Sequence, residues 1–379
     1  MGRESKASFG KKRPRGRARR SSHAMTLRPA LRAPTSKGGL RKACPCATFF
    51  KERALPCLPL PMAESPATPP ERPPAAVIGA GAMGTALARR LQDAGYPVAA
   101  AISRSERSAR ELAATVGAGV AASEMGALPT RATLVLLCVP DDQVRCVAAS
   151  LADTDHPWPR CLVLHTSGAL PAAALGPLAE AGATTLSFHP LQAFAEDTSP
   201  EAFEGIYVGL EGAEGAVAAG RPLAEALGAH PFVLPEAAKA RYHLAASMAS
   251  NFLVTLAGLA GDILDEATAD SREIDGPTGA EALRPLLAGT MRNLQDAPPS
   301  AALTGPLARG DEDTVAAHLR VLHTHHPGAL PAYAALAAET VQQAARADRL
   351  PSDVADRLLT QLADAMDARR ESGPGDRGP

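Results

Sequence analysis

Three glycines in the run Val77-Ile78-Gly79-Ala80-Gly81-Ala82-Met83-Gly84 follow the spacing G-x-G-x-x-G, between a short apolar run and an amphipathic stretch. That seam suits a pyrophosphate. Gly79 permits a tight turn, Gly81 lets backbone approach the anion, Gly84 lets a helix pack on a strand, and the helix N-terminus faces the negative charge. Ala80, Ala82 and Met83 complete the cradle. The next apolar run ends in Ile102-Ser103-Arg104-Ser105, where a site for NAD usually carries Asp or Glu to hold the ribose 2'-hydroxyl. A guanidinium flanked by two hydroxyls predicts a 2'-phosphate instead, hence NADP(H), with a solvated loop arginine as the alternative for Arg104. Cys138-Val139-Pro140-Asp141-Asp142 ends a third run; Val139 and Pro140 can lie against the cofactor, and the two acids suit a helix cap.

Two further run ends carry polar groups, His165-Thr166-Ser167-Gly168 and His189-Pro190-Leu191-Gln192. Thr166, Ser167, the backbone at Gly168 and the His189 ring are donors suited to a substrate carboxylate or carbonyl oxygen. Ser167 could equally cap the following helix, and His189 could merely hold its loop. Farther on, Lys239, His243, Ser247 and Asn251 fall at successive i, i+4 steps and form one polar stripe on an otherwise apolar helix. Polar groups in such a setting need partners, which a crevice between domains supplies. His243 is the candidate proton donor for reduction of a carbonyl or imine, with Asn251 orienting the substrate, unless the stripe simply faces water. In Leu303-Thr304-Gly305-Pro306-Leu307-Ala308-Arg309-Gly310-Asp311, Thr304 and Arg309 could close the substrate pocket, Arg309 as an anion anchor; a plain turn is the competing reading. His318, His323, His325 and His326 lack an i, i+4 pair with a third carboxylate, so no metal site is assigned and a cationic helix end explains the last three.

These groups need strand ends and helix starts to hold them. Apolar runs at 76–79, 98–102, 133–139, 161–165, 184–188 and 206–210, with 231–234 as a last candidate, alternate with helix-like stretches at 83–94, 106–116, 142–151, 169–181 and 213–227. Strand then helix, repeated, predicts an α/β fold of Rossmann type, a doubly wound parallel sheet. After Pro235 the strands stop. A long helical stretch at 236–268 is expected, then a helix striped by Leu283, Leu286, Leu287, Met291 and Leu294. A helix capped by Asp311 would bury Val315, Leu319 and Leu322, and two more helices would cover 331–345 and 351–368. The expected organisation is a disordered extension at 1–74, a cofactor domain at 75–235, an all-α substrate and dimerisation domain at 236–370, and a disordered tail at 371–379.

The 379 residues are 46% apolar and only 3% aromatic, enough for a sizeable core but without base-stacking platforms. The net charge of −1 conceals an asymmetry: residues 1–61 hold 16 Lys and Arg against 2 Asp and Glu, and the remainder 23 against 38. The basic, Pro-broken first segment should not pack and is read as an upstream extension, with Met62 the expected start. A nucleic-acid arm or a transit peptide are the alternatives. The acidic remainder argues against nucleic acid and membrane as partners. Cys44, Cys46 and Cys57 fall in the basic segment; Cys138, Cys146 and Cys161 read as free thiols of a reducing compartment. With no uninterrupted apolar run of about 18 residues expected, the protein is predicted to be cytoplasmic.

The loop GAGAMG, with SRS, CVPDD, HTSGAL, SFHPLQAF, YHLAASMASNFLV and LTGPLARGD in that order, resembles a bacterial family that joins a Rossmann-like domain to a helical domain of unknown function. That family is similar to pyrroline-5-carboxylate reductase, the deazaflavin-dependent NADP reductases and the β-hydroxyacid dehydrogenases. The resemblance spans about residues 76–345. It implies an NADP-binding domain followed by a helical domain like that of 6-phosphogluconate dehydrogenase, which often builds a homodimer. β-Hydroxyacid dehydrogenases carry a catalytic Lys four residues before an Asn on the first helix of that domain; Asn251 matches, but the Lys position is Ser247, and the proton donor is therefore moved to His243. The expectation is an NADP(H)-dependent oxidoreductase of a small keto acid or imine, ketopantoate-like acids being one substrate class. A non-catalytic NADP-binding sensor or assembly protein is the rival.

Overall fold

The computed structural model describes residues 72–269 and 276–371. Every described residue belongs to one compact unit, Pro69–Pro379. The expectations for residues 1–61 and for the tail at 372–379 lie outside the described residues.

β1 (Ala75–Ile78), β2 (Val98–Ile102) and β4 (Leu134–Leu137) are buried along their whole length, as unbroken apolar runs covered by helices on both faces must be. They sit in an eight-stranded sheet of order β3-β2-β1-β4-β5-β6-β7-β8, completed by β3 (Val120–Ala122), β5 (Leu162–His165), β6 (Thr184–Pro190), β7 (Tyr207–Glu211) and β8 (His230–Val233). The helices α1 (Ala82–Asp93), α2 (Glu106–Val116), α3 (Asp141–Ala152), α4 (Gly176–Glu180) and α5 (Glu214–Ala226) provide the coverage. Two apolar clusters form the core, one around Leu87, Leu136, Phe188 and Leu210, the other around Ile78, Leu137, Leu151 and Leu175.

Every neighbouring pair is parallel except β6 and β7, which run antiparallel with His189 opposite Gly209. No α-helix intervenes between β6 and β7, only a 3-10 turn at Pro200–Phe203, whereas a parallel return ordinarily uses a helical crossover. The doubly wound, parallel-dominated sheet is as expected, with this one antiparallel pair. The three-residue β3 was also not foreseen. The stretch 169–181, expected as one helix, is a 3-10 turn at Ala172–Leu175 followed by the five-residue α4.

Beyond β8 the chain is helical. α6 (Lys239–Ala249) and α7 (Asn251–Ala267) occupy the expected single long helix, broken at Ser250, whose φ of −115° and ψ of −72° depart from helical geometry. α8 (Gly279–Asp296) opens with a capping box between Thr278 and Glu281 and crosses α7 closely: a Cβ on Gly279 would run into the Gly261 carbonyl. The short α9 (Pro299–Ala302) and α10 (Pro306–Arg309) lead to α11 (Glu312–Thr324), α12 (Leu330–Arg346) and α13 (Ser352–Glu371). Asp311 caps α11, accepting from the Thr314 amide, and Val315, Leu319 and Leu322 are buried as expected in a third cluster with α12 and α13. α8 does not behave as its stripe suggested. Leu286, Met291 and Leu294 are exposed, together with Leu244, Met248, Phe252, Val254 and Leu256 of α6 and α7. The helical segment Glu236–Ala267 is long and apolar enough to cross a membrane by length and composition, although polar residues interrupt it.

Candidate functional site

Each glycine of the first loop has a separate physical reason. Gly79 has φ of +105°, and a Cβ there would run into the carbonyl of Cys138 on the neighbouring strand end. A Cβ on Gly84 would run into the Gly79 carbonyl, so α1 touches the β1 turn only because no side chain intervenes. At Gly81 a Cβ would meet no protein atom within 4 Å. That bare position faces a cavity of about 240 Å³ lined by Ala80, Gly81, Ser103, Arg104, Val139 and Pro140. α1 has neither a side-chain cap nor an acid in its first turn, so the amides after Gly81, from Ala82 and Met83 onward, are left for an anion. A cradle that protein packing leaves open, at the switch point between β1 and β4, fits a dinucleotide pyrophosphate.

The far side of this cavity is cationic. Arg104 is exposed and has no ion-pair partner among the described residues, whereas its neighbours are spent along α2, Arg107 on Glu111 and Arg110 on Glu106. Ser105 is not available in the same way: its hydroxyl caps α2 by accepting from the Ser108 amide. Asp141 and Asp142 lie in the first turn of α3 behind Pro140, with no side-chain cap bond, so they complement the helix dipole rather than cap it.

Cys138 links this cavity to the next strand end. Burial pushes its thiol up to about 12, and it bonds Thr166 at the start of the β5 loop. The Ser167 hydroxyl is committed locally, accepting from the amides of Ala169 and Leu170 at 3.2 and 3.0 Å. Thus Ser167 shapes the turn through its acceptor sites, which leaves its O–H to donate. His165 is 0% exposed; its Nδ1 accepts from the Ser167 amide and its Nε2 reaches the Pro171 carbonyl at 3.1 Å. Burial holds this imidazole down to about 4.

The turn that Ser167 shapes presents Gly168 to two imidazoles. A Cβ on Gly168 would lie 2.8 Å from His243 Nδ1 and 2.9 Å from His189 Nε2, so both nitrogens converge on one point. On its other side His189 shares a 2.6 Å hydrogen bond between Nδ1 and the Tyr242 phenol. Tyr242 has room for this because Gly209, opposite His189 on β7, carries no side chain: a Cβ there would sit 3.3 Å from the phenol oxygen. Burial pushes Tyr242 up to about 12. Burial first, then the charge of Lys239, holds His189 down to about 4. His189, Tyr242, His243, Ser247 and Asn251 line a cavity of about 820 Å³ beside this point.

His243, Ser247 and Asn251 of the polar stripe line this cavity with His189, whereas Lys239 is buried and does not. Tyr242 was missed; its only signal in the sequence is its place next to His243 on α6. Thr304 and Arg309 are not brought in. Both are exposed at α10, which packs on α11 and α12, and positive φ values at Gly305 and Gly310 make the segment a shaped turn. Their substrate role is corrected to that. His325 and His326 face Glu266 at the end of α7. Another cavity, of about 970 Å³ beside Ala172, Gly212 and Pro235, has one buried charged group, Glu211, which already accepts from the Ala172 amide.

Residues 61–190 match the model of the Rossmann-like domain, and residues 206–340 match that of a domain of unknown function (DUF2520). No curated protein matches the chain. Among solved structures, the chain is similar to the putative NADP oxidoreductase BF3122 from Bacteroides fragilis. The two are 25% identical, with a TM-score of 0.60, over 72% of this chain and 99% of that one. It also shares the fold of protein TM1727 from Thermotoga maritima, at 24% identity and a TM-score of 0.52, over 78% of this chain and 99% of that one.

Proposed function

From a chain that joins a Rossmann-like domain to a DUF2520 domain, we propose an NADP(H)-dependent oxidoreductase that reduces a small carboxylate-bearing keto acid or imine, or oxidises the matching hydroxy or amino acid. Residues 75–235 form its cofactor domain and 236–370 its substrate and dimerisation domain. The likeness to the Bacteroides fragilis protein supports the cofactor, as does the open cradle at Gly81. The observation that carries the reading is the meeting of His243 Nδ1 and His189 Nε2 over Gly168, one loop away from that cradle.

When bound, the nicotinamide supplies or accepts a hydride; the chain's own groups do the rest. The α1 amides beyond Gly79 and Gly81 hold the pyrophosphate, and Ser103 and Arg104 hold the 2'-phosphate. The Tyr242 phenol donates to His189 Nδ1, which leaves the proton of this neutral ring on Nε2, directed at the substrate oxygen or nitrogen. His243 Nδ1 transfers the proton that completes reduction. Ser247 and Asn251, on the cavity wall, orient the remainder of the substrate. At the bare Gly168 any larger residue would displace the two imidazoles, and Thr166, two residues before it, is a further candidate donor to the substrate.

The test is NADPH consumption with a panel of keto acids and cyclic imines, ketopantoate-like acids included, alongside titration with NADPH and NADH. His243→Ala should retain NADPH binding and lose about 10²- to 10⁴-fold in turnover. Unchanged turnover removes His243 from the proton step. NADPH binding without turnover on any substrate favours the sensor or assembly role instead.

A further inference from the structure

Lys239 is 3% exposed and is the first residue of α6, the element that carries Tyr242 and His243. Its ammonium donates to the Ser187 hydroxyl at 2.6 Å and to the Ser167 carbonyl at 3.3 Å. Ser167 lies in the turn just past the end of β5, immediately before Gly168, and Ser187 lies within the adjacent parallel strand β6, opposite His165 and two residues before His189. One cation therefore touches both segments that supply the reacting point, and it lies one helical turn from the imidazole that completes it.

We propose that Lys239 is a positioning residue: its ammonium pins the turn after β5 and the middle of β6 to the start of α6, so that Gly168, His189 and His243 meet at one point. The proposal rests on the catalytic reading above for its purpose, but its contacts stand independently of it. The pinning group is charged, and this matters as much as its reach. Its charge acts on His165 and His189, with Glu211 of β7 and Asp141 of α3 as the acidic groups that offset it. Burial works against the ammonium, while those carboxylates favour it. Burial first, and then this same charge, disfavours a second cation on His189 and His165 and favours neutral hydrogen-bonding rings. A neutral residue of the same length would keep the packing and lose both the two hydrogen bonds and this bias.

The experiment follows the ring proton of His189 by NMR in histidine-labelled protein over pH 3 to 8, with His189→Gln to assign the signal and NADPH titration as the check of folding. In Lys239→Met the His189 midpoint should rise by about one pH unit; in Lys239→Arg, which keeps the charge, it should stay within a few tenths of the wild type. A Lys239→Met protein that binds NADPH normally and shows the wild-type midpoint overturns the proposal. If Lys239→Met does not fold, Lys239→Gln decides: loss of the charge should move the His189 midpoint upward, and an unmoved midpoint overturns the proposal. No turnover enters this readout, so a failure to find a substrate leaves it intact, and an unmoved midpoint leaves the oxidoreductase reading intact.

Discussion

His165 shows how one side chain ties the pH of the medium to the shape of the site. Its neutral ring uses both nitrogens: Nδ1 accepts from the Ser167 amide and Nε2–H donates to the Pro171 carbonyl. An imidazolium has only donors, so protonation would set N–H against N–H at the turn that presents Gly168. The folded value of about 4 lies below the ordinary 6.5, and His189 shares that depression. Between these values the unfolded chain binds more protons than the folded one, so stability rises with pH across the window and is lost on acidification from about 6.5 toward 4. Urea unfolding at intervals across that range should show this slope. His165→Gln, which cannot titrate, should flatten part of it, even if it lowers stability throughout; an unaltered slope would remove His165 as a cause.

At the scale of elements, the seam between β1 and α1 separates glycines needed for folding from one needed for a ligand. Gly79→Ala places a Cβ at positive φ and against the Cys138 carbonyl, and should cost on the order of 1–3 kcal/mol or more in stability. Gly81→Val meets no protein atom at its Cβ and begins from an ordinary backbone conformation, φ −85° and ψ −175°. It should leave the melting temperature within a few degrees of the wild type while weakening NADPH binding at least tenfold. Thermal melts and a binding titration on the two variants check the contrast, and intact NADPH affinity in a folded Gly81→Val protein would empty the cradle of its proposed ligand. The break at Ser250 belongs to this scale too, since it divides the long helix where Ser247, Asn251 and Val254 line the cavity.

Across the whole molecule, the helices α6, α7 and α8 form a surface no described part of the chain covers. Phe252 is 58% exposed, Val254 72% and Leu286 65%, and in α7 only Gly261 is fully buried. A helix apolar on this much of its circumference belongs in an interior, and an apolar patch of this kind on a soluble chain marks an interface. We propose a second copy of the chain as its occupant, in a homodimer built through the helical domain. The polar stripe on the same helices, which faces the substrate cavity, suits a subunit interface better than a bilayer, where Ser247 and Asn251 would need partners. Light scattering on purified protein should give twice the chain mass, and Phe252→Asp combined with Leu286→Glu should halve it while leaving the sheet domain folded. A monomeric wild type, or one that stays dispersed only in detergent, would overturn the dimer.

The α/β alternation, the glycine loop, the basic SRS turn, the capped helix at Asp311 and the stripe from Lys239 to Asn251 were all legible in the sequence. Each is local: periodicity, turn chemistry and helical spacing act over a few residues and leave their pattern in the chain. Tertiary structure alone decided which groups meet. Tyr242 reaches His189 because β7 runs antiparallel and places a glycine opposite it, and Lys239 is buried because two distant serines, one in the turn after β5 and one within β6, lie side by side. Ser167 gave its acceptor sites to its own loop, and Thr304 and Arg309 stayed with α10, through local hydrogen bonds and helix packing. Contacts between residues 52 to 72 positions apart depend on strand order and on what neighbouring side chains leave open, and no spacing along the chain encodes either.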